Sequence, residues 1–303
     1  METLASCPEI DYAVLGEGEE TVVELLRHLE ASRPGDDERR IQGIGYLREG
    51  KFVKTENRPL MEDLDDLPMP EHSLFSVGSR RYRFPAIGPL FLRSPAWGVE
   101  YTRGCEFDCK FCVKPKLWRL TLRYRSEQNV VDELEVLTRK YGIKAGQLFA
   151  NDIFARRERL EELIVEMEKR RLNYNFVTFG RADTVAKNKD LLPRLVKAGL
   201  VMLWVGVESL EQSILDHVAE GTTTGANKEA LVACEAAGIP VLGPNYMFGF
   251  PQHTVQSIRA QGAEALATIP RFSPGLPAYI PTPGTPLYFQ AAAKGPIAAF
   301  TAT

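Results

Sequence analysis

The sequence predicts an α/β fold: a partial (β/α)6 TIM-like barrel preceded by a short N-terminal α+β segment. Two patterns carry this. From Val99 onward, short runs rich in β-branched and aromatic residues alternate with longer stretches of helical spacing, which implies a parallel sheet with right-handed crossovers. Gly142, Gly199 and Gly238 stand just after helical stretches, where a left-handed C′ residue is wanted. Six units fit in about 190 residues, whereas an eight-unit barrel takes ~250, so the arithmetic favours six. An open doubly wound sheet fits the alternation as well.

The elements read in order as follows. Asp11–Leu15 is a short strand, Gly16–Glu19 a turn, and Thr21–Leu29 a helix with Val22, Leu25, Leu26 and Leu29 at helical spacing. Arg33–Arg39, with Pro34-Gly35, is a polar loop. Gly43–Leu47 and Lys51–Lys54, joined through Glu49-Gly50, form a hairpin. Residues 57–96 are proline-rich and aperiodic, and are expected to be a linker on the surface of the main domain. Strands are then expected at Val99–Thr102, Gln147–Ala150, Asn175–Phe179, Val201–Val207, Val241–Met247 and Pro277–Ile280. Helices are expected at Ser126–Tyr141, Arg156–Arg171, Lys187–Ala198, Leu210–Ala219, Asn227–Ala237 and Val255–Thr268, the first capped by Ser126. The expected divisions are 1–95, an N-terminal junction and linker, 96–290, the core, and 291–303, an Ala-rich tail.

Composition narrows the function classes. The chain is 44% hydrophobic and 25% charged, which is ordinary for a globular protein. Its net charge is 37 − 40 = −3, and basic runs such as Arg80 to Arg83 are short, so no nucleic-acid partner is expected. No stretch reaches the ~18 apolar residues of a membrane span. The acidic N-terminus lacks the basic and apolar regions of a signal peptide, so the expected location is the cytoplasm, where thiols stay reduced. Five cysteines are present, and three of them fall within eight residues, which suits metal or redox chemistry better than disulfides.

Those three are Cys105, Cys109 and Cys112, spaced CxxxCxxC directly after the first strand. Such a place is the C-terminal mouth of a barrel, where these folds hold their chemistry. Three thiolates can hold three irons of a cubane cluster and leave the fourth iron open to a ligand, whereas an electron-transfer cluster wants a fourth cysteine. A structural zinc site wants four ligands, and no second cysteine pair exists. Zinc, or no metal at all, remains an alternative on spacing alone. Cys234 lies mid-helix among alanines and is expected in the core.

CxxxCxxC at the end of a first strand, with Phe111 before the last cysteine, resembles the signature of the radical S-adenosylmethionine (SAM) superfamily. The resemblance implies a radical SAM core over about residues 96–288. It also implies a 4Fe–4S cluster on Cys105, Cys109 and Cys112, with SAM on the open iron. Reductive cleavage of SAM would then give a 5′-deoxyadenosyl radical. Later strand ends resemble the family in order. Asp152, ending the second strand, would face the SAM amino group; the plainer reading is an N-cap for the following helix. Arg181 would reach the SAM carboxylate by bidentate pairing; the plainer reading is a surface arginine. Glu208 and Ser209, in a GxES-like segment, would line the SAM pocket; the plainer reading of Ser209 is a cap for the next helix. Gly249, in Met247-Phe-Gly-Phe-Pro251, would let the backbone approach adenine, and Pro281–Tyr288 resembles the close of the core.

Within the superfamily, Gly16-Glu-Gly-Glu19, the helix and hairpin after it, Leu64–Pro70 and Cys112–Arg125 resemble cobalamin-binding radical SAM methyltransferases and cyclases. Residues 1–95 would then be a remnant after a cobalamin-binding domain. No DxHxxG-type segment is present, and none of His28, His72, His217 and His253 lies in one. Cobalamin as a third cofactor is therefore left open, supplied here or by another chain. The expected partners are a small-molecule substrate and a reductant such as flavodoxin or ferredoxin. Two alternatives stand beside this: a truncated, non-catalytic SAM- and cluster-binding module, and a methylthiotransferase, whose second cluster Cys7 alone cannot supply.

Overall fold

A computed structural model of the chain describes residues 2–31, 38–75, 96–218, 221–242, 246–250, 252–268 and 278–293. Outside them lie most of the polar loop, the second half of the linker with Arg80 to Arg83, and the middle of the expected strand Val241–Met247. Pro251, Pro277 and the end of the Ala-rich tail lie outside them too. The chain divides into two compact units, Met1–Glu62 and Asp63–Thr303.

The first unit opens with helix α1 (Glu2–Ser6) and strand β1 (Tyr12–Val14), then helix α2 (Glu19–Ala31). Strands β2 (Ile44–Arg48) and β3 (Lys51–Lys54) complete an antiparallel sheet of order β1-β2-β3. The β2–β3 hairpin turns on Glu49 and Gly50, both at positive φ (52° and 73°), as a two-residue hairpin with native twist requires. Leu25 of α2 packs on Ile41, Ile44 and Tyr46, while Val22, Val23, Leu26 and Leu29 of the same helix are exposed. Thr55 closes the sheet edge, its hydroxyl accepting from the Ile44 N–H at 3.0 Å.

The second unit is the α/β core. Its parallel strands are β4 (Val99–Glu100), β7 (Ala145–Phe149), β8 (Asn175–Arg181), β9 (Leu200–Gly206) and β10 (Val241–Leu242), which lie side by side in chain order. Parallel bridges Glu208↔Tyr246 and Phe248↔Ala278 carry the pairing past the last strand. That sequential order is the barrel-like winding the alternation implies. Between β4 and β7 sit strand β5 (Thr102–Gly104), helix α3 (Lys114–Trp118) and strand β6 (Leu122–Tyr124); β5 and β6 form a small antiparallel pair, so the expected first strand is split in two.

Helices α4 (Glu127–Tyr141), α5 (Arg157–Arg170), α6 (Ala182–Lys187), α7 (Leu192–Ala198), α8 (Gln212–His217), α9 (Thr224–Ala236), α10 (Val255–Thr268) and α11 (Pro286–Ala292) complete the unit. Ser126 caps α4, accepting from the Asn129 N–H at 3.1 Å, and Gly142 ends it at φ 68°. The expected helix from Lys187 begins earlier, as α6, directly after Arg181.

Alternation along the strands sorts their side chains into two faces. One face, with Leu148, Phe176, Leu203 and Val205, joins α4, α5, α7 and α9 in the main core. Each fully buried aliphatic side chain there contributes ~1.5–3 kcal/mol. The opposite face carries Ala145, Val177, Met202 and Trp204. Further along the same strands it reaches Phe149, Phe179, Arg181 and Gly206, and Phe179 stacks on Trp204 at 4.7 Å. Residues 63–75 pack on this unit through buried His72, whose Nε2 lies 3.0 Å from Glu133, and through Asp65, which accepts from the Ser126 N–H at 2.9 Å.

Candidate functional site

The three cysteines sit on the loop between β5 and α3, beyond the C-terminal end of β4. Cys109 is buried; Cys105 and Cys112 are half-buried, and none is in a disulfide. Burial pushes the Cys105 thiol up, and the neighbouring Cys112 adds to it. Two contacts shape the start of the loop. Gly104, at φ +98°, holds a backbone that other residues resist, and a Cβ there would lie 1.9 Å from the Thr121 carbonyl oxygen. Its own carbonyl accepts a hydrogen bond from the Asn151 side-chain amide. The Cys112 N–H returns to the Cys109 carbonyl at 3.0 Å, drawing the last two thiols onto one turn.

Among the described residues, no three His, Cys, Asp or Glu side chains converge on a single metal ion. A cubane asks for something different, because its thiolates bind separate irons and need not meet at one point. Three thiols on one loop, none in a disulfide, are a donor set of that kind.

Strand alternation brings two other expected residues to the same mouth. Arg181 ends β8 on the face that carries Val177 and Phe179, and is 8% exposed. Its Nη1 lies 3.7 Å from the Cys109 sulfur, its Nε donates to Asp183 at 3.0 Å, and its guanidinium stands 3.8 Å from the Phe107 ring centroid. Arg181 is thus not a surface arginine. The register partner of Arg181 in β9 is Gly206. A Cβ on Gly206 would come within 3.1 Å of the Glu208 carboxylate, so that carboxylate folds back over Gly206, one strand from Arg181. Glu208 itself has φ +58°, and the Ser209 N–H bonds to the Val207 carbonyl at 2.6 Å, a tight turn that few non-glycine residues adopt.

Asp152 is 3% exposed. Its Oδ1 accepts from the Phe154 N–H at 3.1 Å, the Thr184 hydroxyl at 3.0 Å and the Arg181 N–H at 3.3 Å. Burial pushes its carboxyl up to about 6, against the pull of these donors. Oδ2 is buried with no hydrogen-bond partner. Asp152 does not cap α5, whose N-cap is Arg156 with no side-chain bond.

Ser209 stands apart. Its fully buried hydroxyl accepts from the Glu211 N–H at 3.0 Å and lies 3.4 Å from Gln261 Oε1, so it holds the turn into α8. Gly249, at φ +91°, has nothing within 4 Å of where a Cβ would stand, and its N–H donates to His253 Nδ1 at 3.0 Å. Beside the cysteine loop, Glu106, Phe107, Phe154, Arg156 and Asp183 line an open cleft of about 490 Å³.

Sequence reasoning missed Asn151, Asp183 and Phe107. The first two adjoin residues already singled out, and Phe107 lies between two of the cysteines.

Residues 99–260 match the radical SAM superfamily, and the chain belongs to it. It is similar to an uncharacterized methyltransferase of Pyrococcus horikoshii, PH0819, with 28% identity covering 85% of this chain and 53% of that protein. It is similar also to the anaerobic magnesium-protoporphyrin IX monomethyl ester cyclase of Cereibacter sphaeroides, with 30% identity covering 95% of this chain and 45% of the cyclase. The chain therefore spans about half the length of these curated relatives. In fold it matches the radical SAM methyltransferase TsrM of Kitasatospora setae, solved with cobalamin and a 4Fe–4S cluster bound. The TM-score is 0.70 at 20% identity, covering 96% of this chain and 56% of that one. Among the described residues no helix is long and apolar enough to cross a membrane.

Proposed function

We propose that this chain is the catalytic core of a radical SAM enzyme that modifies a small organic substrate, by C-methylation of the cobalamin-assisted kind or a related radical reaction. The observation that carries this reading is the placement of Arg181 against Cys109, with Glu208 one strand away, at the end of the parallel sheet where the loop of Cys105 and Cys112 lies. Cys105, Cys109 and Cys112 would hold a 4Fe–4S cluster. Such a cluster would supply the electron for reductive cleavage of bound SAM to a 5′-deoxyadenosyl radical.

The chain's own residues bind and orient. The orphaned Oδ2 of Asp152 is a buried acceptor suited to the SAM ammonium, and an ammonium there would relieve the cost of its unpartnered charge. Arg181, fixed by Asp183 and Phe107, presents its guanidinium to the SAM carboxylate. Glu208 supplies a second carboxylate one strand away. Gly249 leaves its backbone open to a flat base, and Ser209 acts by fixing the turn that aims Glu208. The methyltransferase and cyclase relatives support methylation or cyclisation as the reaction class.

The test is anaerobic reconstitution followed by assay of 5′-deoxyadenosine with dithionite and SAM, with and without methylcobalamin. Deoxyadenosine is the expected product, rising with cobalamin if methylation is the reaction. A fully loaded cluster that gives none would overturn the reading.

A further inference from the structure

A cluster that must be reduced before SAM can be cleaved needs a route from an electron donor to the cysteine loop. The segment from Lys110 to Arg125 carries six cations and no carboxylate, in a chain whose net charge is −3. Several of the six make contacts within the chain. Arg125 is buried on Glu133 at 2.6 Å, and the Arg123 guanidinium stands 5.7 Å from the Trp118 ring centroid. Lys114, Lys116 and Arg119 are exposed on α3 and its C-cap, within seven residues of Cys112.

The same short helix displays apolar surface. Leu117 is 53% exposed, Leu120 46% and Phe289 of α11 57%. Lys116 Nζ lies 5.0 Å above the Phe289 ring, which places α11 on the same patch. Arg119 and Leu120 both have positive φ, 51° and 57°. Two consecutive left-handed residues with long side chains cost roughly 1–2 kcal/mol each, and the side chains so displayed gain little burial in return. An apolar centre rimmed by one sign of charge is the composition of a transient, electrostatically steered interface. Of the two carboxylates on the cysteine loop, Glu106 is paired with Arg156, and only Asp108 is exposed.

We propose that α3, with Arg119, Leu120 and Phe289, is the docking face for a small acidic one-electron donor protein of the flavodoxin class. The inference rests on the proposed function. In the transfer the donor loses one electron and the group held by the cysteines gains it; no bond is made or broken.

The test compares the wild type with the double variant Lys116→Glu/Arg119→Glu. Lys114 is left in place because its charge acts on the Cys105 thiol. Oxidised flavodoxin titrated into the reconstituted protein at low salt should bind the wild type, and bind the double variant about tenfold more weakly. With reduced flavodoxin as donor, the KM for flavodoxin should rise by a similar factor, and the salt dependence of the rate should flatten. With dithionite, which needs no docking face, both proteins should form deoxyadenosine equally. Equal flavodoxin affinity in the two proteins, or no flavodoxin binding by the wild type, overturns the docking face. No deoxyadenosine with dithionite in either protein overturns the proposed function instead, and the flavodoxin titration still decides the face.

Discussion

The side-chain amide of Asn151, two residues past the end of β7, donates to the carbonyl of Gly104, the residue that opens the cysteine loop. One strand end thus fixes the backbone from which Cys105 projects. Asn151→Ala leaves a buried carbonyl without its donor, a cost of ~1–3 kcal/mol. The expected outcome is a lower thermal midpoint together with reduced iron per chain after reconstitution, and an altered electron paramagnetic resonance signal from the cluster that does form. Unchanged iron content and signal would show that the contact does not position the loop.

Asp152→Asn should have opposite effects on stability and binding. Burial raises the Asp152 carboxyl to about 6, from 3.8 in the unfolded chain. Between these values the folded state holds the extra proton, so the wild type loses stability as pH rises from near 4 to above 6. Asparagine keeps the acceptor for Phe154, Thr184 and Arg181 without the charge. The variant should be more stable than the wild type at pH 8, by up to ~3 kcal/mol, with the difference vanishing below pH 4. SAM affinity should fall at the same time. Denaturant melts at several pH values and equilibrium binding of SAM check the two halves separately.

The cysteines should separate by chemistry. Cys234 is fully buried in α9, and burial pushes its thiol up to about 12. At pH 8 iodoacetamide should modify Cys105 and Cys112 in the metal-free native protein and leave Cys234 untouched until the chain unfolds. Cys234→Ala should keep wild-type iron content, whereas Cys109→Ala should bind no cluster. Full iron in the Cys109 variant would refute the ligand assignment.

Glu133 joins His72 to Arg125, and all three are buried. Glu133→Ala strands the Arg125 charge and should cost ~3–5 kcal/mol in urea unfolding. Asp190→Ala, which removes an exposed partner of Arg157, should leave the midpoint unchanged.

Much of this architecture is legible in the sequence because it rests on local signals. Ser126 and Gly142 bound α4 as caps do anywhere, and the inward set Val130, Leu134 and Leu137 follows the helical period. The three cysteines stand out by their spacing, whereas Asp152, Arg181 and Glu208 are singled out only by the resemblance of their strand-end segments to a known family. What is not legible lies at short range without period. β5 and β6 are three residues each, too short to show alternation, and the left-handed Arg119 has no sequence mark. The hidden role of Ser209 has another cause. Glu208 and Ser209 are neighbours, so a tight turn sends one to the mouth and the other to α10, and nothing in the residue types says which.

The side-by-side order of the parallel strands has a bearing on how the protein is made. Each strand pairs with one synthesised shortly before it. Leu148 follows its partner Val99 by 49 residues, Asn175 follows Ala145 by 30, Leu200 follows Phe176 by 24, and Val241 follows Leu203 by 38. Among the described residues no parallel strand waits for a distant partner, so the sheet can grow by accretion at one margin as the chain leaves the ribosome. The thiol loop emerges early in that process, ahead of Arg181 and Glu208. On the ligand assignment proposed above, nascent chains would display the three thiols before the rest of the site is made, and a cluster could be delivered to them during translation.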